Sequence, residues 1–278
     1  MKAFSAGNGP KLTLDEGSVL DIGACFVGGI DIAPGRAIPD DGDPRIDHSL
    51  EGFLFTCGPD HIRHPDIIPG RSDGAKFPLH GSYSSHPAEI VFWDMQEDAE
   101  CRARIAVATA DGGSALLERH WRIDGVTGEV CLSDTVTNTG TKAIARVHMY
   151  HMNLGAWLLD DNVRLSSAMF EQKDMPWNFG PDPGSVFCVP ATGQGDRWAE
   201  VALGPIAALG GLTLRVRFRT DTLPYLQMWR NQKAPAHVLG IEPVSHRQAS
   251  RSELEASGEL KWLQPGASVD YGLRFVFA

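Results

Sequence analysis

Apolar and polar residues alternate one for one along much of this chain. In "LTLRVRFRT" (212–220), Leu212, Leu214, Val216 and Phe218 fall on one side and Thr213, Arg215, Arg217 and Arg219 on the other. That is the period-two signature of a half-buried β-strand, with the arginine row as its solvated outer face. "RARIAVATA" (102–110), "ERHWRID" (118–124) and "DYGLRFVFA" (270–278) also read as strands, rich in β-branched and aromatic residues. The turn signals "DGG" (111–113), "DGVTG" (124–128) and "NTGT" (138–141) separate such runs at roughly the 8–12-residue spacing of sandwiches and barrels. The pattern predicts an all-β fold. One short helix is predicted within "SHRQASRSELEASG" (245–258), where Ser250 and Glu253 have capping-box spacing and Gly258 is placed to end the element. Two stretches rich in Pro, Gly and Asp, 34–50 and 172–197, read as long loops of the kind that grip ligands on β-scaffolds. No internal repeat or domain boundary is visible in the 278 residues, so a single domain over 1–278 is expected.

Composition narrows the function classes. The 30 glycines and 18 prolines show no period, which suits many turns and excludes collagen-like and helical-bundle classes. A net charge of −10 without clustered Lys and Arg argues against nucleic-acid and membrane-surface partners. The five cysteines, Cys25, Cys57, Cys101, Cys131 and Cys188, are widely spaced and odd in number, a pattern of reduced thiols rather than a disulfide framework or zinc site. No apolar run long enough for a signal peptide or a membrane span is present. A cytoplasmic protein is expected, and pairing at a sheet edge would make a homodimer.

Candidate chemistry starts at "VHMYHMNLG" (147–155). If 143–154 is a strand, Val147, Met149, His151 and Asn153 share one face and Arg146, His148, Tyr150 and Met152 the other. His148 and His151 then diverge and do not bind one metal ion, and the same holds for His61 and His64 if extended. His151 with Asn153 on one face suits proton transfer near neutral pH, although a structural histidine would have the same pattern. Glu242 precedes Pro243, which favours an extended backbone, and its uncharged flank would raise the carboxylate pKa on partial burial. In "YLQMW", Tyr225, Gln227 and Trp229 share a face; a tryptophan face and an amide can orient a polar ligand, and core filling by Trp229 fits equally well.

Four segments in order resemble the aldose 1-epimerases (galactose mutarotases). They are "FPLHGSYSSHPAE" (77–89), "SDTVTNTGTKAIARVHMYHMNLG" (133–155), "LPYLQMWRN" (223–231) and "VLGIEPVS" (238–245). With Thr56, Cys57 and Gly58 upstream of the His-Gly element, the likeness is closest to the aldose 1-epimerase-like branch. The resemblance implies a β-supersandwich of the galactose mutarotase type acting on a free sugar without a cofactor. Glu242 would be the base at the anomeric hydroxyl, His151 the acid at the ring oxygen, and His80 a substrate-binding partner. Asn153, Gln227 and Trp229 would position the ligand. For the family's sugar-contacting arginine, Arg71 is taken over Arg63; for its aspartate, Asp174 and Asp182 lie in a suitable loop. Ser82, Tyr83 and Ser84 stand where hexose-phosphate mutarotases carry an arginine, which disfavours a phosphosugar. Three alternatives use the same residues differently: enolisation of a keto-sugar, a cupin-like metal-dependent isomerase suggested by the ten histidines, and a carbohydrate-binding sandwich without catalysis.

Overall fold

Two antiparallel sheets of nine strands each carry the chain in the computed structural model, which describes residues 1–36, 52–84, 86–191 and 197–278. The first sheet runs in the order Lys2–Phe4, Lys11–Asp15, Asp21–Val27, Leu54–Cys57, Met149–Gly155, Val238–Val244, Tyr225–Asn231 and Gly184–Pro190, with Ile30–Asp31 attached to the third of these. The second runs Asp174–Pro176, Arg164–Ser166, Trp198–Ile206, Leu212–Arg219, Ser268–Phe277, Val130–Asn138, Ser114–Ile123, Ala99–Ala108 and Glu89–Met95. Their facing surfaces form one apolar core that joins Leu54, Tyr150, Met152 and Leu154 of the first sheet to Leu117, Trp121, Val216 and Phe275 of the second. Each fully buried large side chain there contributes about 1.5–3 kcal/mol. The fold is all-β, and no helix among the described residues is long and apolar enough to cross a membrane.

Alternation predicts the faces well. Leu214, Val216 and Phe218 are buried, while the Arg215 guanidinium lies outside and pairs with Glu200 at 2.9 Å. The helix is Arg251–Ala256, shorter than the motif that announced it, because it begins only at the cap. Ser250 Oγ accepts from the Glu253 N–H, and the Ser250 N–H donates to the Glu253 carboxylate at 2.7 Å. The run 143–154 divides into Ile144–Ala145, which pairs with Trp262–Leu263, and Met149–Gly155 in the first sheet.

The segment 172–197 is not one loop. It contributes Asp174–Pro176 to the second sheet and Gly184–Pro190 to the edge of the first, the latter fully paired with Tyr225–Asn231. Pro183 and Pro190 flank or end an edge strand, where a missing N–H removes no interior ladder bond, and Val186, Phe187 and Val189 supply the strand preference. Of the other expected loop, residues 37–50 lie outside the described residues, as do 192–196.

The outer face of the first sheet builds the site. Phe55, Cys57, Val147, Met149, Val238 and Val244 form a second apolar cluster there, around which the polar residues are set. The excursion from Gly58 to Ser84 folds back over this face. Its two ends are tied by the Gly58 N–H on His80 O at 2.9 Å and the His80 N–H on Arg63 O at 2.8 Å. Asp60 clamps it by accepting from the Ser82 N–H at 3.0 Å and the Ala110 N–H at 2.8 Å. Gly81, at φ +87°, leaves no room for a side chain, since a Cβ would lie 2.1 Å from His61 O. This explains the glycine of the His-Gly pair.

Candidate active site

Glu242 and His151 project from adjacent strands into one cavity of about 200 Å³, lined by Arg63, His64, His80, Val186, Gln227, Trp229 and Gln248 together with the pair itself. Met152 pairs with Ile241 and Asn153 with Gly240, a register that sets His151 beside Glu242. The imidazole Nε2 lies 3.1 Å from Glu242 Oε1, with both side chains 3% exposed or less. His80 stands perpendicular to His151 with ring centroids 5.4 Å apart, and Trp229 packs edge-on against His151 at 5.6 Å.

A directional chain of hydrogen bonds fixes how this pair is presented. Arg63 Nε and Nη2 both donate to Gln227 Oε1, at 3.2 and 2.9 Å. Because a guanidinium only donates, the Gln227 amide is locked with its oxygen toward Arg63 and its Nε2 toward Glu242, where it donates to Oε2. Arg63 Nη1 lies 3.0 Å from His246 Nε2, which must therefore accept, leaving His246 Nδ1 to donate to Ser245 Oγ at 3.1 Å. The Arg63 backbone N–H meets His80 Nδ1 at 3.3 Å, so the proton of a neutral His80 sits on Nε2. With Oε2 of Glu242 committed to Gln227, Oε1 is the atom left for proton exchange with His151.

Burial sets the charges. The Glu242 carboxyl is pushed up to about 8 by desolvation, against the opposing pull of the Gln227 N–H and the Arg63 charge. Desolvation lowers His151 to about 3, with Asn153 opposing it. His80 is held well below its ordinary range by burial and by its neighbours His151 and His64, and His246 falls to about 3 for the same first reason. Glu242 and His151 therefore hold one proton between them across the neutral range, and their titration belongs to the pair.

Of the residues singled out in sequence, Glu242, His151, His80, Gln227 and Trp229 come together here. Asn153 is fully buried behind His151, its Nδ2 3.5 Å from His151 O, and does not line the cavity. Arg71 is elsewhere: it is exposed, pairs with Asp73, and borders a separate surface hollow with Lys142 and Trp262. Arg63, not Arg71, is the arginine that lines the cavity. Asp174 is exposed and pairs with Arg164 at 2.7 Å, and Asp182 gives its backbone oxygen to Arg230; neither lines the cavity. His148 faces the core, stacked on Tyr271 at 3.9 Å. Among the described residues no three His, Cys, Asp or Glu side chains gather as a metal site.

Residues 33–276 match a family described as a domain of unknown function, DUF4432. The chain belongs to this family. No curated protein matches the sequence. Among solved structures, this DUF4432 protein is similar to a candidate aldose 1-epimerase from Klebsiella pneumoniae (19% identity, TM-score 0.75, 97% of this chain and 77% of that one). It is also similar to a galactose mutarotase-like protein from Lactobacillus casei (13%, TM-score 0.67, 99% of each chain) and to an aldose epimerase homologue from C. elegans (12%, TM-score 0.63, 99% and 98%). The DUF4432 chain thus has the galactose mutarotase-like fold expected from its motifs.

Gly240 keeps the pair apart from the strand that carries it. A Cβ at this position would lie 2.5 Å from Glu242 Oε1 and 3.2 Å from His151 Cε1, a close approach that explains a glycine inside a strand. Gly240→Ala is expected to displace the Glu242 carboxyl and lower turnover about a hundredfold, the usual scale for a misplacement near 1 Å, with an unchanged circular dichroism spectrum. Full activity in the alanine variant would refute this account of the glycine.

Proposed function

We propose that this protein interconverts the anomers of a monosaccharide, with Glu242 and His151 as its proton-transfer pair. The observation that carries this reading is the 3.1 Å approach of Glu242 Oε1 to His151 Nε2 inside a cavity sized for a small ligand. A cyclic hemiacetal bears its hydroxyl and ring oxygen on one carbon, so a base and an acid for these two atoms must themselves be neighbours.

In the forward step Glu242, as carboxylate, takes the proton of the anomeric hydroxyl while protonated His151 gives one to the ring oxygen. The bond from the anomeric carbon to the ring oxygen breaks, and a carbonyl forms. Glu242 then holds the proton and His151 is neutral, which is the distribution burial favours. After rotation of the carbonyl carbon, the chain hydroxyl attacks its other face and gives its proton to His151 while Glu242 gives its own to the carbonyl oxygen, which yields the opposite anomer and restores the pair. Proton count is conserved throughout, so no cofactor is needed. His80 Nε2–H is available to steady the oxygen on which charge develops, and the Trp229 ring offers an apolar wall to the sugar's C–H face.

Anomeric exchange measured by NMR across a panel of sugars in D2O tests this directly. Exchange cross-peaks without deuterium entering at the carbon next to the anomeric centre are expected. Deuterium uptake there would instead support enolisation of a keto-sugar, the second reading, which the Arg63 charge beside the pair favours because an enediolate is anionic. Exchange no faster than in buffer, for every sugar, would end the proposal.

The pH profile follows from the shared proton. Below about 8 the pair retains its proton and the rate is flat through neutrality; above it the last proton leaves, no acid remains, and kcat/KM is expected to fall about tenfold per unit. A rate that keeps rising from pH 8 to 10 would contradict this.

A further inference from the structure

Among the described residues, Arg63 is an arginine on the cavity wall with no carboxylate in ion-pair contact. Three of its five N–H groups are spent, two on Gln227 Oε1 and one on His246 Nε2. All these acceptors are neutral. One N–H on each terminal nitrogen is left, and among the described residues no carboxylate forms an ion pair with it. Arg119 inside the sandwich differs: all five of its N–H groups find acceptors, including two carboxylates.

The rest of the described wall offers amide and imidazole groups, from Gln248, His64 and His80, but no second carboxylate. Glu242 is its only carboxyl among the described residues, with Oε2 occupied by Gln227 and Oε1 facing His151. Both ends of the Gln227 amide are engaged. His80 presents a donor. A ligand decorated only with hydroxyls would leave the Arg63 charge unmatched in a site from which it displaces water, whereas an anion would match it.

We propose that the ligand is an acidic monosaccharide, a uronic or ulosonic acid, whose carboxylate sits on the two remaining N–H groups of Arg63. The sugar half of this statement rests on the mutarotation reading above; the carboxylate half rests on Arg63 alone. A planar carboxylate has acceptors for both N–H groups and carries one charge against one cation. A phosphate dianion would carry one charge too many for a single guanidinium. Because Gln227 links Arg63 to Glu242, the carboxylate lies within one sugar ring of the anomeric centre.

The test is calorimetric binding and NMR anomeric exchange with three sets of sugars. These are D-glucuronate, D-galacturonate and 2-keto-3-deoxygluconate; the neutral D-glucose and D-galactose; and D-glucose 6-phosphate. At least one acidic sugar is expected to bind about a hundredfold more tightly than its neutral or phosphorylated counterpart, the scale of a desolvated charge pair. Arg63→Gln is expected to reduce that preference to a few-fold, and Arg63→Lys to restore part of it. If the Gln variant does not fold, the wild-type comparison decides alone. Neutral or phosphorylated sugars binding as tightly as the acids, or no acidic sugar binding at all, would overturn the proposal. Tight binding of an acidic sugar without anomeric exchange would retire mutarotation and leave the carboxylate assignment standing.

Discussion

Glu242→Gln is expected to lower anomeric exchange at least about a hundredfold, the usual scale for losing a general base, while leaving the protein no less stable. The substitution removes the proton acceptor and little else. An amide at 242 can turn its oxygen to the Gln227 Nε2–H, which reproduces the wild-type hydrogen bond, and aim its own N–H at His151 Nε2, 3.1 Å from the carboxyl oxygen it replaces. Burial has already pushed the Glu242 carboxyl up to about 8, which means that the fold bears a cost for ionising it that a glutamine does not incur. Rate and stability should therefore separate. Urea denaturation at pH 7 is expected to give an equal or higher midpoint, and exchange spectroscopy the collapsed rate. The descending limb of the pH profile above pH 8 should vanish with the carboxyl that causes it. A variant that exchanges anomers within a few-fold of wild type would show that the group at 242 does not move the proton, and a binding module without catalysis would become the better reading.

How much of this site is legible in the sequence depends on whether a residue's placement is periodic. Strand alternation is local, and it alone puts Met149 and His151 on the cavity face and Tyr150 and Met152 in the core. It also puts Gln227 and Trp229 on the cavity wall. The partners of these residues are another matter. That Gln227 meets Glu242 follows from the pairing of Tyr225–Asn231 with Val238–Val244, and a register is a property of two strands. Arg63 and Arg71 lie in the same aperiodic excursion, where no spacing rule separates the one that lines the cavity from the one that pairs with Asp73 at the surface. Arg63 takes a left-handed backbone conformation, φ +76°, with its chain held by His80. Nothing in an arginine codon position announces that. Val186 was hidden differently, inside an edge strand whose flanking Pro183 and terminal Pro190 imitate a loop.

One buried constellation did leave a sequence signal. In the strand Ser114–Ile123 the inward positions run Leu117, Arg119, Trp121, Ile123, and in Val130–Asn138 they run Leu132, Asp134, Val136. A charge of each sign on an otherwise apolar face, in adjacent strands, points to an internal ion pair, and Arg119 is indeed opposite Asp134. The guanidinium binds both Asp134 oxygens at 2.9 and 2.7 Å, Asp21 at 2.8 Å, Val19 O at 2.8 Å and Thr56 Oγ1 at 2.8 Å. Tyr150 adds its hydroxyl to Asp134 at 2.9 Å. Since Tyr150 and Thr56 belong to the strands that carry His151 and Phe55, this network fastens the back of the candidate site to the opposite sheet.

Arg119→Met should therefore be among the most damaging single changes in the protein. Methionine fills much of the volume but leaves two carboxyls inside the sandwich without a cation, a situation that costs about 3–5 kcal/mol, a large share of the stability of an ordinary domain. The penalty has a sign in pH. Burial already raises the Asp21 carboxyl above its ordinary value, with Arg119 and Thr56 opposing it; without Arg119 it rises further. A group whose folded pKa exceeds its unfolded one favours the folded state fully below the unfolded value, near 3.9, and progressively less as pH climbs through the folded value. The variant is thus expected to lose more stability at pH 8 than at pH 5, measured by urea denaturation at both, with wild type as the reference. A loss under about 1 kcal/mol at pH 8 would mean that the two carboxyls find other partners or water once the arginine is gone. Asp21→Asn separates these cases: it keeps a hydrogen-bond acceptor for Arg119 and removes the carboxyl that burial penalises, so it should cost far less than Arg119→Met if charge compensation, rather than packing, is what the arginine supplies.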